Sequence, residues 1–375
     1  MGAVGRGIGA AYENQGRPNL GPGWRVPPRV RVSRNRYRVV ATCAVAAVLA
    51  VAGVFPAGAK PKPRKGSFIA LTYNVAGLPQ GISGSDPQTN SPQIGPKLND
   101  FDLVLLQEDW ADPAPGVDIF FHEQVTAEAS HPYRSTPASH PYGTDVSRFP
   151  SGPTMIADGL NRLSDFEFGT LERHMWEVCF GEFHFAAVNA VLDATGLDGA
   201  VEDAGFDDEL DDGAADCGAQ KGFSVARTRL ANGVEIDVYN LHADAGSDPR
   251  DQEARAAGFR QLAAFIGTHS DGHGVILGGD TNLHTEPDSD RARDIEVWRT
   301  FQEATGLVDV CRVLDCAADD GAIDKFAFRS SKRVKLAPLS ATVERERFTR
   351  ADGEPLSDHD PLSVVFRWKV ASGRR

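Results

Sequence analysis

Six short stretches of this chain each leave a carboxylate, an amide or an imidazole at an end of an apolar run. They are Asn74 in TYNVAGLP, Glu108 in LVLLQED, His242 in YNLHADAG, Asp280 with Asn282 in GGDTNLH, Asp324 in AIDKFAF, and Asp358 with His359 in LSDHDPLSVVF. Carboxylate and amide oxygens are the donors that a hard divalent cation takes. An imidazole backed by a carboxylate holds or moves a proton near neutral pH. Together they are the parts that neutralise an anionic group and aim a water at it. Polar clusters beside buried strands cost desolvation energy unless they are paired or bind something. Singly, each has an ordinary explanation: Asn74 and Asn282 as turn residues, Glu108 and Asp280 as helix caps, His242 as a satisfied core histidine. Asp360 reads as a turn residue.

The elements that must position these groups are short strands. SFIALTYN and DLVLLQED both finish in polar tips, and HGVIL runs into Gly278-Gly279-Asp280. GFSVARTRL and GVEIDVYNL alternate around Ala231-Asn232-Gly233, which predicts a hairpin. A helix is expected over 247–267, with Ser247 as N-cap, Pro249 in the first turn, and Phe259, Leu262, Phe265 and Ile266 on one face. A second is expected over 290–304. Residues 80–98 and 111–153 read as loops, the latter with room for one short helix. Strands mixed with helices over about 300 residues indicate an α/β or α+β protein. In such sheets, residues at strand ends converge on one rim.

Residues 1–59 differ in composition. Eight arginines and one glutamate precede the uncharged run 39–55, and Ala57-Gly58-Ala59 follows it. A basic flank, an apolar run and a small-residue site read as a secretory signal, with an uncleaved signal anchor as the alternative. Residues 60–66, KPKPRKG, read as an extended linker. Beyond residue 59 the chain holds 31 basic and 51 acidic residues, a net charge of about −20. That charge repels phosphate backbones and counts against a nucleic-acid partner. Cys43 lies in the leader. Cys179, Cys217, Cys311 and Cys316 suggest two disulfides in an exported chain, taken on locality as 179–217 and 311–316. The acidic stretch 207–212 lacks EF-hand spacing and reads as a solvated loop.

In their order along the chain, the six stretches resemble the endonuclease/exonuclease/phosphatase superfamily. This DNase I-like group also holds neutral sphingomyelinases and inositol polyphosphate 5-phosphatases. The resemblance marks 67–370 as a catalytic domain. It implies an α/β (α+β) fold, a DNase I-like four-layer sandwich of two packed mixed β-sheets flanked by helices. It implies Asn74 and Glu108 as a metal-binding pair, with Asp358 assisting directly or through water. Mg²⁺ is the default ion and Mn²⁺ or Ca²⁺ the alternatives. His242 and Asn282 are implied as donors to phosphate oxygens, and Asp280 as the group that orients or deprotonates the attacking water. His359 is implied as general base or phosphate-stabilising histidine, with Asp324 as its carboxylate partner. The expected activity is that of a secreted phosphodiesterase using direct water attack on a sphingomyelin-type membrane phospholipid. The alternatives are an extracellular nuclease, an inositol-phosphate phosphomonoesterase, and a catalytically silent binding protein of the same fold. The 5-phosphatase pattern Trp-Cys-Asp-Arg is replaced here by Ala322-Ile323-Asp324-Lys325, which counts against that branch. HADAG is closer to the phospholipase-like branch, although no aromatic membrane-insertion hairpin is evident.

Overall fold

The computed structural model describes residues 64–80, 83–112, 118–140, 156–180, 217–285, 292–316 and 322–371. The leader and the acidic stretch 207–212 lie outside them.

Two six-stranded sheets form the centre. The first has the order β11 (Val334–Val343), β12 (Leu362–Val370), β1 (Lys65–Asn74), β2 (Leu103–Gln107), β4 (Asn161–Ser164) and β3 (Tyr133–Arg134). The second runs β5 (Glu172–Met175), β6 (Gly222–Ala231), β7 (Val234–His242), β8 (Val275–Asp280), β10 (Asp324–Arg329) and β9 (Val308–Asp309). Both are mixed: β1 pairs parallel with β2, and β7 with β8, while the other pairings are antiparallel. The sheets pack face to face through Phe68, Ala70, Leu105 and Phe366 from one and Ile236, Val238, Ile276 and Phe326 from the other. Helices cover both outer faces. Ile94 and Leu98 of α1 (Pro87–Leu98) sit on Leu71, Tyr73, Val104 and Leu106. Phe259, Leu262 and Ile266 of α3 (Pro249–His269) and Trp298 and Phe301 of α4 (Ala292–Thr305) sit on Tyr239 and Leu277. With α2 (His122–Thr126) and α5 (Val310–Leu314), these make the expected four layers.

Local chemistry explains most boundaries. The hairpin closes at Gly233, whose φ of 77° is the left-handed conformation glycine adopts freely. Helix α3 is capped by Asp248, one residue beyond the expected Ser247. Its side chain accepts from Arg250 N, and Asp251 returns a bond to the cap backbone. Cys179 pairs with Cys217 and Cys311 with Cys316. Among the described residues no helix is long and apolar enough to cross a membrane.

Two expectations fail. Lys65 and Gly66, read as linker, open β1 and pair with Lys369 and Trp368. Residues 87–98, read as loop, form α1 despite Pro92 and Pro96 inside it. A proline within a helix costs about 3 kcal/mol. Full burial of Ile94 and Leu98, worth roughly 1.5–3 kcal/mol each, offsets much of that.

Strand direction builds the rim. The C-terminal ends of the parallel pairs β1/β2 and β7/β8 lie at one edge of the sandwich. Because β12 runs antiparallel to β1 and β10 antiparallel to β8, their N-terminal ends arrive at the same edge. Asp324 lies opposite Asp280, and so does His242.

Candidate functional site

The rim gathers what the sequence scatters over 286 positions. Asn74, His242, Asp280 and Asp324 are buried, Glu108 and His359 are partly exposed, and Asp358 is exposed. Nδ2 of Asn74 lies 2.9 Å from Glu108 Oε1, 3.1 Å from Asp280 Oδ2 and 3.3 Å from His359 Nε2. His242 Nε2 approaches the same two carboxylates, at 3.4 Å from Asp280 Oδ2 and 3.9 Å from Glu108 Oε1. His359 stands between acids: Nδ1 is 2.6 Å from Asp324 Oδ2, and Nε2 is 3.7 Å from Asp280 Oδ2. Asn282 turns away, donating Nδ2 to Ala243 O, while its own N–H bonds Asp280 Oδ1. Asp358 is joined to the group through Ser357, whose hydroxyl bonds both Asn74 O and Asp358 Oδ1.

Backbone strain marks the same rim. Glu108 and Asn282 have φ of 54° and 48°, conformations that cost a non-glycine residue of order 1 kcal/mol or more and cluster at functional sites. Glycines make room for Glu108. A Cβ on Gly77 would lie 2.2 Å from Glu108 O, and one on Gly159 would lie 3.1 Å from Glu108 Cα. The next residue, Asp109, is pinned by three groups. Its N–H bonds Gly159 O, and its Oδ2 takes Asn161 Nδ2 at 3.1 Å and His122 Nδ1 at 2.9 Å.

A polar layer under the rim ties the sheets together. Gln107 donates to Asn240 Oδ1 at 2.6 Å, and Asn240 donates across the sandwich to Leu106 O and Asn161 O. Sequence reading misses Gln107, Asn161, Asn240, Asp109 and His122. Asp109 and Gln107 sit beside Glu108 and were findable as neighbours; Asn240 and His122 carry no local signal.

The environments push the two histidines apart. Burial holds His242 well below the usual imidazole range, and the Lys221 charge adds to that. His242 Nδ1 is buried with no hydrogen-bond partner, so the single proton of the neutral ring belongs on Nε2, facing the carboxylates. Burial also pulls on His359, but the Asp324 and Asp280 charges and the Asp324 hydrogen bond raise it well above the usual range. Burial lifts the Asp324 carboxyl to about 6, against the pull of the His359 charge and hydrogen bond at 2.6 Å. For Asp280, burial is outweighed by His359, His242 and Lys221, which hold it below the usual carboxylate range. Burial pushes Glu108 up to about 7 against the pull of Lys221 and the Asn74 bond.

The donor set fits a hard cation. Asp280, Asp324 and His359 present ligand atoms within 4.8 Å of one another, but Asp324 and His359 spend theirs on each other. The better opening lies between Glu108 Oε1 and Asp280 Oδ2, where the Asn74 NH₂ group now donates to both. A group carrying partial positive charge stands where two carboxylates call for a cation.

Two packed mixed six-stranded sheets flanked by helices make the DNase I-like fold. In sequence the chain is 28% identical over 318 residues to sphingomyelinases of Mycobacterium tuberculosis and Mycobacterium bovis, covering 81% of this chain and 53% of theirs. The chain thus spans about half the length of the curated relatives it matches. In structure it is similar to D. rerio TDP2 humanized by 14 mutations, with a TM-score of 0.51 and 15% identity over 80% of this chain and 98% of that one. It is also similar to an endonuclease/exonuclease/phosphatase from Beutenbergia cavernae, with a TM-score of 0.51 and 12% identity over 83% and 72%. No family model matches the chain.

Proposed function

We propose that this chain is a secreted, divalent-metal-dependent phosphodiesterase that uses water to cleave a sphingomyelin-type phospholipid. The observation that carries the reading is the pair of rim histidines whose Nε2 atoms both face Asp280 Oδ2, at 3.4 Å and 3.7 Å, one pushed toward the neutral and the other toward the charged form. Enzymes assign acid and base roles by separating the pKa values of neighbouring groups in this way. The sphingomyelinase relatives supply the substrate class, and the two disulfides suit an oxidising compartment outside the cell.

Glu108 would hold the cation, with Asn74 joining it once its amide turns over and gives up the bond its oxygen accepts from Ala76 N at 3.0 Å, and Asp358 would assist through water. Mg²⁺ is the ion such oxygen donors favour. When bound, it neutralises charge on a phosphoryl oxygen. Turning the Asn74 amide also presents its oxygen to the Nε2–H of His359. Asp280, ionised and almost fully buried, is the group able to accept the proton of an attacking water. His242 offers Nε2–H to the phosphoryl oxygens. His359 holds a proton at Nε2, and Asp324 fixes that tautomer through Nδ1. In this role His359 stabilises the phosphoryl group rather than acting as base. No step calls for a covalent intermediate.

The test is a panel of sphingomyelin, phosphatidylcholine, plasmid DNA, RNA and inositol phosphates, titrated with Mg²⁺ and reversed with EDTA. Release of a phosphocholine headgroup that disappears in EDTA is expected. Efficient DNA or RNA cleavage with phospholipid left intact would overturn the substrate. Inactivity toward every ester with Mg²⁺, Mn²⁺ and Ca²⁺ would overturn the activity.

A further inference from the structure

The opposite end of the first sheet carries a charge pattern that the rim does not use. Lys65 lies directly opposite Lys369 on the neighbouring strand, and Lys369 directly opposite Lys335 on the next. Phe68, Ala70, Phe366, Trp368 and Leu336 point into the sandwich. Strand alternation therefore puts all three lysines on the outer face, where all three are exposed. Adjacent strands are about 4.8 Å apart, so the three side chains leave the sheet along a line about 10 Å long. Lys332 and Arg333, exposed in the turn entering β11, extend it. No side chain of these five makes an ion pair or hydrogen bond among the described residues.

Like charges placed directly opposite one another destabilise a sheet. Acidic residues outnumber basic ones in this chain, 52 to 39, yet the described stretches that build this end, 64–70, 329–337 and 364–371, contain none. The surface is the open face of three hydrogen-bonded strands. Ser67, Arg367 and Ala337 make the next row, and Ile69, Val365 and Ser340 the one after. It has no groove to follow a strand and, in these rows, no aromatic ring for a base to stack on, the two features single-stranded nucleic acid needs. A row of ammonium groups without acidic partners among the described residues matches an array of anionic headgroups.

We propose that this face docks the protein on an anionic lipid surface. β1 runs ten residues from Lys65 to Asn74, about 30 Å at about 3.3 Å per residue. The candidate site lies about that far from the lysine row, so this docking tethers the protein to a surface and does not itself bring the site to the lipid it holds.

The experiment is co-sedimentation of the full chain with phosphatidylcholine vesicles, with and without about a third phosphatidylglycerol, at about 0.05 M and 0.5 M salt. The parent is compared with Lys65→Glu/Lys335→Glu/Lys369→Glu. Both carry the apolar run 39–55, so their difference reads the sheet face alone. Binding to the anionic vesicles is expected to fall about five-fold for each lysine charge removed, at least a hundredfold for the triple variant, and to weaken with salt in the parent. Single Lys369→Glu guards against misfolding as the cause. It places opposite charges between Lys65 and Lys335, so its melting temperature should rise while its vesicle binding drops. Equal binding by parent and triple variant overturns the proposal. So does a parent that binds heparin or polyphosphate through these lysines but binds both vesicle types alike. Hydrolysis of a soluble phosphodiester is measured in parallel. It should be unchanged in the variants, which separates failure of docking from failure of the proposed chemistry.

Discussion

His359 joins Asp324 through Nδ1 at 2.6 Å, and His122 joins Asp109 through Nδ1 at 2.9 Å. Both acids are buried, both rings are mostly covered, and both imidazoles are pushed toward the charged form by their partner. The far nitrogen separates them. Nε2 of His359 faces Asn74 and Asp280 at the rim. His122 has no hydrogen bond or ion pair to any rim residue among those described; it acts on Asp109, which is bonded to Glu108 through the backbone. One pair presents a proton to the candidate site. The other holds the backbone that carries a candidate metal ligand. On the proposed function, the same two side chains would serve chemistry in one pair and scaffolding in the other, according to what the second nitrogen meets.

The widest gap between the pairs should appear on truncation. His359→Ala is expected to lower turnover by about three to four orders of magnitude, at the upper end for a positioned proton-bearing group, while far-UV circular dichroism stays native. Turnover within tenfold of the parent would remove His359 from the mechanism. Glu108→Gln comes next. It keeps the shape and removes the ligand charge, so half-saturating Mg²⁺ should rise by about ten- to a hundredfold. An unchanged Mg²⁺ titration would place the cation elsewhere.

The two pairs also differ in how readable they are. Asp324 and His359 stand 35 positions apart, but each belongs to a stretch with its own signature at a strand end. Asp109 is one residue from Glu108, yet its partner lies in a Pro- and Gly-rich segment that reads as loop, and the five-residue α2 that carries His122 is too short for periodicity to show. Strands β1, β2, β8, β10 and β12, the β6–β7 hairpin and both disulfide pairs were legible because each rests on local alternation, turn chemistry or proximity. α1 was hidden because its prolines argue against the helix that burial of Ile94 and Leu98 enforces. The lysine row was hidden for another reason. Lys65, Lys335 and Lys369 meet only once the order β11-β12-β1 and its register are known, and no window of sequence holds either.

If His122 is scaffolding, its loss should act on metal binding more than on chemistry. His122→Ala is expected to raise half-saturating Mg²⁺ by about three- to tenfold while turnover at saturating Mg²⁺ stays within about twofold of the parent, as loss of support behind a metal ligand does. His122→Asn, whose amide can donate from near the position of Nδ1, should recover most of that affinity. A His122→Ala that lost turnover but kept its Mg²⁺ affinity would make the two pairs alike.

The smallest effect is in stability against pH. Burial pulls the His122 pKa down, but the Asp109 charge and hydrogen bond overcome it and leave the folded value above the ordinary 6.5. The folded state therefore binds this proton more tightly than the unfolded chain. The stabilisation is fully present below pH about 6.5 and is lost as pH rises through the raised folded value. Parent and His122→Asn both keep a hydrogen bond to Asp109, but only the parent gains the charge. Their difference in unfolding free energy, measured by urea titration at several pH values, should be largest at pH about 6 and shrink as pH rises past the folded value. A difference that stayed flat across that window, or grew with pH, would mean that Asp109 holds a neutral imidazole, and the comparison with His359 would then rest on geometry alone.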